Sequence, residues 1–283
     1  MVDRERDEAP QLARRPVGRR RLLAAGGMLV GLGALGWELA PPSVTERLEG
    51  RLGIEPDVFV PDVAEGMVRL ERVSSQAMGE IDVFTAVPAG YGDGAGLPVV
   101  VVLHGSSASA AHLRGFGLGR FVTAAVEAGT PPFVLVGPDD GPAGWVSSGE
   151  VDPQRMLRDE LPRWLAQRGY AADRRALWGW SRGGYGALRF VATDPDWAAA
   201  LALFSPAIGP DDPLLLDLGV LSELPWGLWC GEWDPFRDGS LALAAAAPIA
   251  PDPWVGGDGG HTRAYWNDHT LEMFDRLARH LDS

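Results

Sequence analysis

The chain has 283 residues, 46% hydrophobic and 22% charged, a composition that buries a large core and excludes a disordered or fibrous protein. Its formal charge of −13 argues against a nucleic-acid partner, which would require a basic face to meet phosphates. The single cysteine, Cys230, excludes an internal disulfide framework and a cysteine zinc cluster; the five histidines, at 104, 112, 261, 269 and 280, lack metal-ligand spacing, so no metal site is indicated.

All 25 basic residues are arginines, and seven of them fall in residues 1–40 against five acidic residues. The remaining 18 stand against 33 acids, so the body of the chain carries −15. Residues 1–21 are polar and end in Arg19, Arg20 and Arg21, ahead of LLAAGGMLVGLGALGW, an apolar run of 16 residues. That is an export-signal pattern and resembles a twin-arginine signal. Glu38-Leu39-Ala40 is a poor cleavage site, while the run falls short of the about 20 apolar residues that span a bilayer. Cleavage and retention as an N-terminal membrane anchor therefore both stay open, and a buried N-terminal helix is the alternative to export. The expectation is an exported chain, secreted or anchored to the outer face of the cell membrane. Residues 41–66, with their prolines, glycines and charges, read as a linker, and residues 67–283 as one catalytic-sized domain.

That domain alternates strand and helix signals. EIDVFTAV (80–87) alternates as a half-buried strand, and GYGDGAG (90–96) is turn-rich. PVVVVL (98–103) is a continuous β-branched run, the mark of a strand buried on both faces; FVLVGP (133–138), RRALWGW (174–180), ALALFS (200–205) and PWGLWC (225–230) are similar. Helices are predicted over 108–127, 153–168, 182–193, 236–247 and 266–281. The last sets Leu271, Phe274, Leu277, Ala278 and Leu281 on one face. Strands alternating with helices predict an α/β fold, a mostly parallel central sheet with helices on both faces.

In such a sheet chemistry collects at the carboxyl ends of the strands, and Ser181 falls one residue past RRALWGW. Gly179-Trp180-Ser181-Arg182-Gly183 is a G-x-S-x-G, with small residues where a strained strand-to-helix turn has no room for side chains. A serine hydroxyl needs a base that an acid orients, and for this topology the chain order is serine, acid, histidine. Ser181, Asp234 and His261 appear in that order, each past a strand signal. Glu232 and Asp258 are rivals to Asp234, which could instead serve as a helix N-cap. His261 sits in the glycine-rich loop VGGDGGHTRAYW, whereas His269 and His280 fall on the last helix. The oxyanion donors are expected to be the N–H groups of Arg182 and Ser106, with Ser107 as fallback. His104 is read as a residue that orders its loop. Eleven tryptophans raise the option of sugar stacking at Trp145 and Trp266.

With these residues in hand, the chain resembles the putative esterase family of the α/β-hydrolase superfamily, which includes esterase D, feruloyl esterases and mycolyltransferases. The resemblance runs from about Met67 to the C-terminus. It rests on VFTAVPAGY, LPVVVVLHG, the block DRRALWGWSRGGYGAL, GEWD, and GGH followed by Tyr265 and Trp266. It implies ester chemistry through an acyl-enzyme without a cofactor, on small-molecule, carbohydrate or lipid esters. Two positions depart from the family: Arg182 replaces a small hydrophobic residue after the nucleophile, and Arg263 replaces an aromatic after the histidine. The interval from Ser205 to Leu224 is too short for a large lid domain.

The reading is thus an exported serine esterase with Ser181, Asp234 and His261 as catalytic residues. Acyl transfer from the same acyl-enzyme is an alternative, and so is a non-catalytic binding protein on this fold.

Overall fold

The structure is a computed structural model that describes residues 58–282. The expected export segment and most of the linker lie outside the described residues. Eight strands form one sheet in the order β1-β2-β4-β3-β5-β6-β7-β8: β1 (Val68–Ser75), β2 (Gly79–Ala86), β3 (Val99–Leu103), β4 (Val134–Pro138), β5 (Arg175–Trp180), β6 (Leu201–Phe204), β7 (Trp226–Trp229) and β8 (Trp254–Val255). The first two strands run antiparallel to their neighbours, and all pairings from β4 to β8 are parallel.

The β-branched run of β3 explains its central place. Val99, Val101 and Leu103 point into one core layer, Val100 and Val102 into the other, and none is solvent-exposed. The first layer is closed by a helical stretch α2 (Pro153–Arg155, a π turn Met156–Glu160, and Leu161–Gln167), by α3 (Arg182–Thr193) and by α4 (Arg237–Ala246). The second is closed by α1 (Leu118–Glu127) and α5 (Arg263–Leu281), the latter through Phe274, Leu277, Ala278 and Leu281, as its periodicity predicts. Fully burying each such side chain contributes roughly 1.5–3 kcal/mol, so both faces of the sheet are firmly held.

The structure corrects four sequence expectations. The helix predicted over 108–127 is a single turn, Ala110–His112, followed after a break by α1, because Gly117 takes a φ of 81° just before Leu118. The last helix begins at Arg263 rather than 266, since Thr262 caps it by accepting the Tyr265 N–H at 3.3 Å. Strands β1 and β8 were not predicted: β1 is an edge strand with little apolar signal, and β8 has two residues. Finally, residues 58–66 of the expected linker pack on the body. Phe59 meets Phe121 edge-on at 5.7 Å and accepts the Asn267 side-chain N–H at 2.9 Å, while Glu65 pairs with Arg114 at 3.0 Å.

Strands β3 and β5 lie side by side at the middle of the sheet, where successive crossovers turn in opposite directions. A crevice forms at such a reversal beyond the strand ends, and the loops leaving β3 and β5 both enter it. The interval between β6 and β7 holds two single-turn helices, Pro213–Leu216 and Gly219–Ser222, in place of a lid domain. Among the described residues no helix is long and apolar enough to cross a membrane.

Candidate active site

Ser181 occupies the turn between β5 and α3 with φ 55° and ψ −124°, a region that costs a non-glycine residue about 1–3 kcal/mol. Its own backbone bonds hold it there: its N–H donates to Phe204 O at 2.9 Å, and its carbonyl accepts from Tyr185 at 3.1 Å and Ala207 at 2.9 Å. The flanking glycines are required by space. A Cβ on Gly179 would fall on the Gly183 backbone, and one on Gly183 on the carbonyl group of Leu103. The G-x-S-x-G signal thus reflects two backbone approaches that admit no side chain.

His261 stands against Ser181, with Nε2 2.8 Å from Oγ. Its Nδ1 lies 2.9 Å from Asp234 Oδ2 and 3.2 Å from Oδ1. The carboxylate of Asp234 is fully buried, whereas the imidazole keeps 24% of its surface exposed. Asp234 Oδ1 also accepts the Phe236 N–H at 2.8 Å, which makes Asp234 the head of an Asx turn and not the N-cap of α4. Of its rivals, Glu232 is exposed and Asp258 accepts the Trp233 indole N–H at 3.0 Å. The loops carrying acid and histidine are tied by backbone bonds from Glu232 to Gly257 O (2.8 Å) and Trp233 to Gly259 O (2.9 Å). Gly231 makes that approach feasible, since a Cβ there would strike Gly259.

Aromatic rings surround the imidazole. Trp266 meets it edge to face at 4.9 Å, and Phe236 meets it at 5.1 Å. Trp266 donates its indole N–H to Ser205 Oγ at 3.1 Å. Ser205 is itself fully buried at the end of β6, with a φ of 45°. Sequence reasoning missed Ser205 and Phe236, because neither belongs to a motif.

Of the two expected oxyanion donors, Arg182 directly follows Ser181 and Ser106 directly follows Gly105, which packs against Ser181. Arg182 is the first residue of α3, so its N–H has no partner inside the helix, and the helix dipole presents its positive end. Ser106 follows β3 in the neighbouring loop, whose Gly105 packs so closely that a Cβ there would lie 3.1 Å from Ser181 Cβ. Paired with a proton-accepting histidine, this arrangement can activate a hydroxyl and stabilise an anion beside it.

His104 is fully buried, and its Nδ1 donates to Gly105 O at 3.0 Å. Burial holds its pKa below the ordinary histidine value; the nearby carboxylates of Asp140 and Asp139 offset this only in part. A neutral ring that shapes its own loop is the role expected from the sequence. Trp145 is also fully buried, with its indole N–H given to His104 O at 2.9 Å, so the sugar-stacking option fails there. Arg263 lies over the Phe116 ring at 4.5 Å, and Arg182 Nη2 donates to Asp140 Oδ2 at 2.5 Å. Asp139 and Asp140 are a further omission of the sequence reading, although two carboxylates directly after a buried strand are a visible signal.

A family profile described as Putative esterase matches residues 74–272. No curated protein matches the sequence. Similar solved structures include a ferulic acid esterase at 18% identity and TM-score 0.68, covering 77% of this chain and 100% of that one. An S-formylglutathione hydrolase from Agrobacterium tumefaciens matches at 17% identity and TM-score 0.62, covering 78% and 98%. The feruloyl esterase module from Clostridium thermocellum, complexed with sinapinate, matches at 15% identity and TM-score 0.64, covering 80% and 93%. At these identities the likeness is one of fold, the α/β-hydrolase type of sheet.

Proposed function

The chain belongs to the Putative esterase family and is a carboxylic ester hydrolase, and on that premise we propose that Ser181 is its nucleophile, His261 its general base and Asp234 the acid that orients the histidine. The observation that carries this reading is the unbroken relay from Asp234 Oδ2 through His261 to Ser181 Oγ, at 2.9 Å and 2.8 Å. Nδ1–H donates a hydrogen bond to the buried carboxylate, which leaves the Nε2 lone pair facing the hydroxyl.

Ser181 Oγ attacks the ester carbonyl carbon as its proton passes to His261 Nε2. The carbonyl oxygen becomes an oxyanion held by the N–H groups of Arg182 and Ser106. Collapse breaks the bond to the alcohol oxygen, which takes the proton from Nε2 and leaves an acyl-enzyme on Ser181. Water then gives a proton to Nε2 and attacks the acyl carbon; the second collapse returns the proton to Ser181 and releases the acid. Asp234 balances the imidazolium at each stage. No cofactor enters the sequence.

The substrate class we propose is a small-molecule ester or an acyl ester of a carbohydrate or lipid. Hydroxycinnamate esters are the first to screen, since sinapinate is bound in a structure of similar fold. We also read residues 1–40 as an export signal or anchor, on Arg19-Arg20-Arg21 and the apolar run behind them, which would place the activity outside the cytoplasm.

Labelling of the full chain with a fluorophosphonate, followed by mass spectrometry, tests the nucleophile. An adduct at Ser181 that is lost in His261→Ala is the expected result. Undiminished ester turnover by Ser181→Ala would sink the assignment.

A further inference from the structure

The loop after β4, residues 139–145, touches both stretches of backbone that carry the oxyanion donors. Toward the β3 loop, Asp139 Oδ1 accepts the Ala110 N–H at 2.7 Å, and Trp145 donates to His104 O at 2.9 Å. Toward α3, Asp140 accepts from Arg182 at 2.5 Å, and the Arg182 stem runs so close to Gly144 that a Cβ there would collide with it. Trp145 also packs on Gly186 of α3, again with no room for a Cβ. The loop is fixed to the sheet as well, because Asp139 Oδ2 accepts the Asp82 N–H at 3.2 Å.

This bracing answers a local weakness. The first turn of α3 reads Arg182-Gly183-Gly184, and each glycine lowers helix propensity by about 1 kcal/mol relative to alanine. Gly183 cannot be replaced where α3 starts against Leu103, so the turn that presents the Arg182 N–H is held by its neighbours instead. The Arg182 side chain is one-third exposed and its partner carboxylate 13% exposed. Removal of either member strands the other in a partly dry site.

We propose that Asp140 is a positioning residue for ester hydrolysis: through the Arg182 side chain it fixes the first turn of α3, and with it the N–H that meets the oxyanion. The inference rests on the reading of Ser181 as nucleophile. Burial raises the Asp140 carboxyl above its ordinary value, and the charge and hydrogen bond of Arg182 draw it back toward the ionised form that the pairing needs.

The test compares Asp140→Asn, Arg182→Met, the double variant and Arg182→Lys with the parent chain, using an aryl ester and a trifluoromethyl ketone of the same acyl group. Asp140→Asn and Arg182→Met are each expected to lower kcat about 10- to 100-fold with KM little changed. Inhibition by the ketone, whose adduct carries the oxyanion, weakens in the same proportion. The double variant loses no more than either single, and Arg182→Lys recovers part of the rate. A merely structural role would shift thermal stability without this match between kcat and ketone affinity. Asp140→Asn with parental kcat, or losses that multiply in the double variant, would overturn the proposal. Ser181→Ala serves as the separate control: retained turnover there would defeat the nucleophile reading itself, whatever Asp140 does.

Discussion

His261 and Trp266 meet edge to face, with 4.9 Å between ring centroids and 86° between ring planes, and the indole N–H of Trp266 is anchored on Ser205 Oγ at 3.1 Å. The histidine is thus held by its carboxylate on one nitrogen and by a fixed ring against its side. Trp266→Phe keeps an aromatic contact but removes the anchor, a net loss of about 1 kcal/mol that frees the ring to tilt. Steady-state kinetics of this variant should show kcat lower by about 5-fold with KM unchanged. A rise in KM alone would assign Trp266 to substrate binding instead.

Asp234 and Glu232 sit two residues apart in one loop, yet one is buried on His261 and the other faces solvent. Asp234→Asn should lower kcat by about 10,000-fold while leaving thermal stability near that of the parent, because the amide cannot hold the required tautomer. Glu232→Gln should stay within about 2-fold of the parent rate, since its charge is exposed and screened. The two variants, assayed side by side on one ester, decide which residue is the acid; reversed effects would exchange the roles.

Gly183→Ala places a methyl group on the Leu103 carbonyl, and neither strand nor helix can yield without moving Ser181. The cost is about 3 kcal/mol, equivalent to a drop of about 10 °C in Tm for a domain of this size. Calorimetry and turnover should both register the loss. A variant with parental Tm and rate would show that β3 and α3 are not pressed together.

His104 gives the protein a stability that depends on pH. In the unfolded chain it takes up a proton as pH falls through about 6.5, whereas burial keeps it neutral in the folded state until a lower pH. The unfolded state therefore binds more protons below 6.5. Stability is fully present above that value and declines as pH falls from it toward the depressed folded pKa. Urea midpoints at about pH 7.5 and about pH 5.5 should differ in that direction, and His104→Asn should narrow the difference. An equal decline in the variant would assign the effect to other groups.

That Ser181, Asp234 and His261 come together was expected from local signals: the G-x-S-x-G after a strand, an acid just past the PWGLWC run and a histidine in a glycine-rich loop. The five strands from β3 to β7 were legible because burial on both faces demands unbroken runs such as VVVV, and β2 was legible from the alternation in EIDVFTAV. Strand β1 escaped because an edge strand with one face in water keeps charged residues, here Arg69, Glu71 and Arg72. The break before α1 escaped because helical periodicity continues across Gly115 and Gly117, and only the observed φ of 81° at Gly117 interrupts it. Sugar stacking at Trp145 stayed an option beside the commoner core role because composition does not say which tryptophans are buried.

By itself, then, the sequence determined the α/β class, the family, the chain order of serine, acid and histidine, and the two glycines that the Ser181 turn requires. The tertiary structure alone decided that Asp234 and not Glu232 meets His261, that Ser205 anchors Trp266, and that Asp139, Asp140 and Trp145 touch the loop after β3 and the start of α3. The division has one physical cause. Burial patterns and tight turns are written in adjacent residues, whereas a hydrogen bond between residues 42 or 61 positions apart depends on where the packed sheet delivers its loop ends.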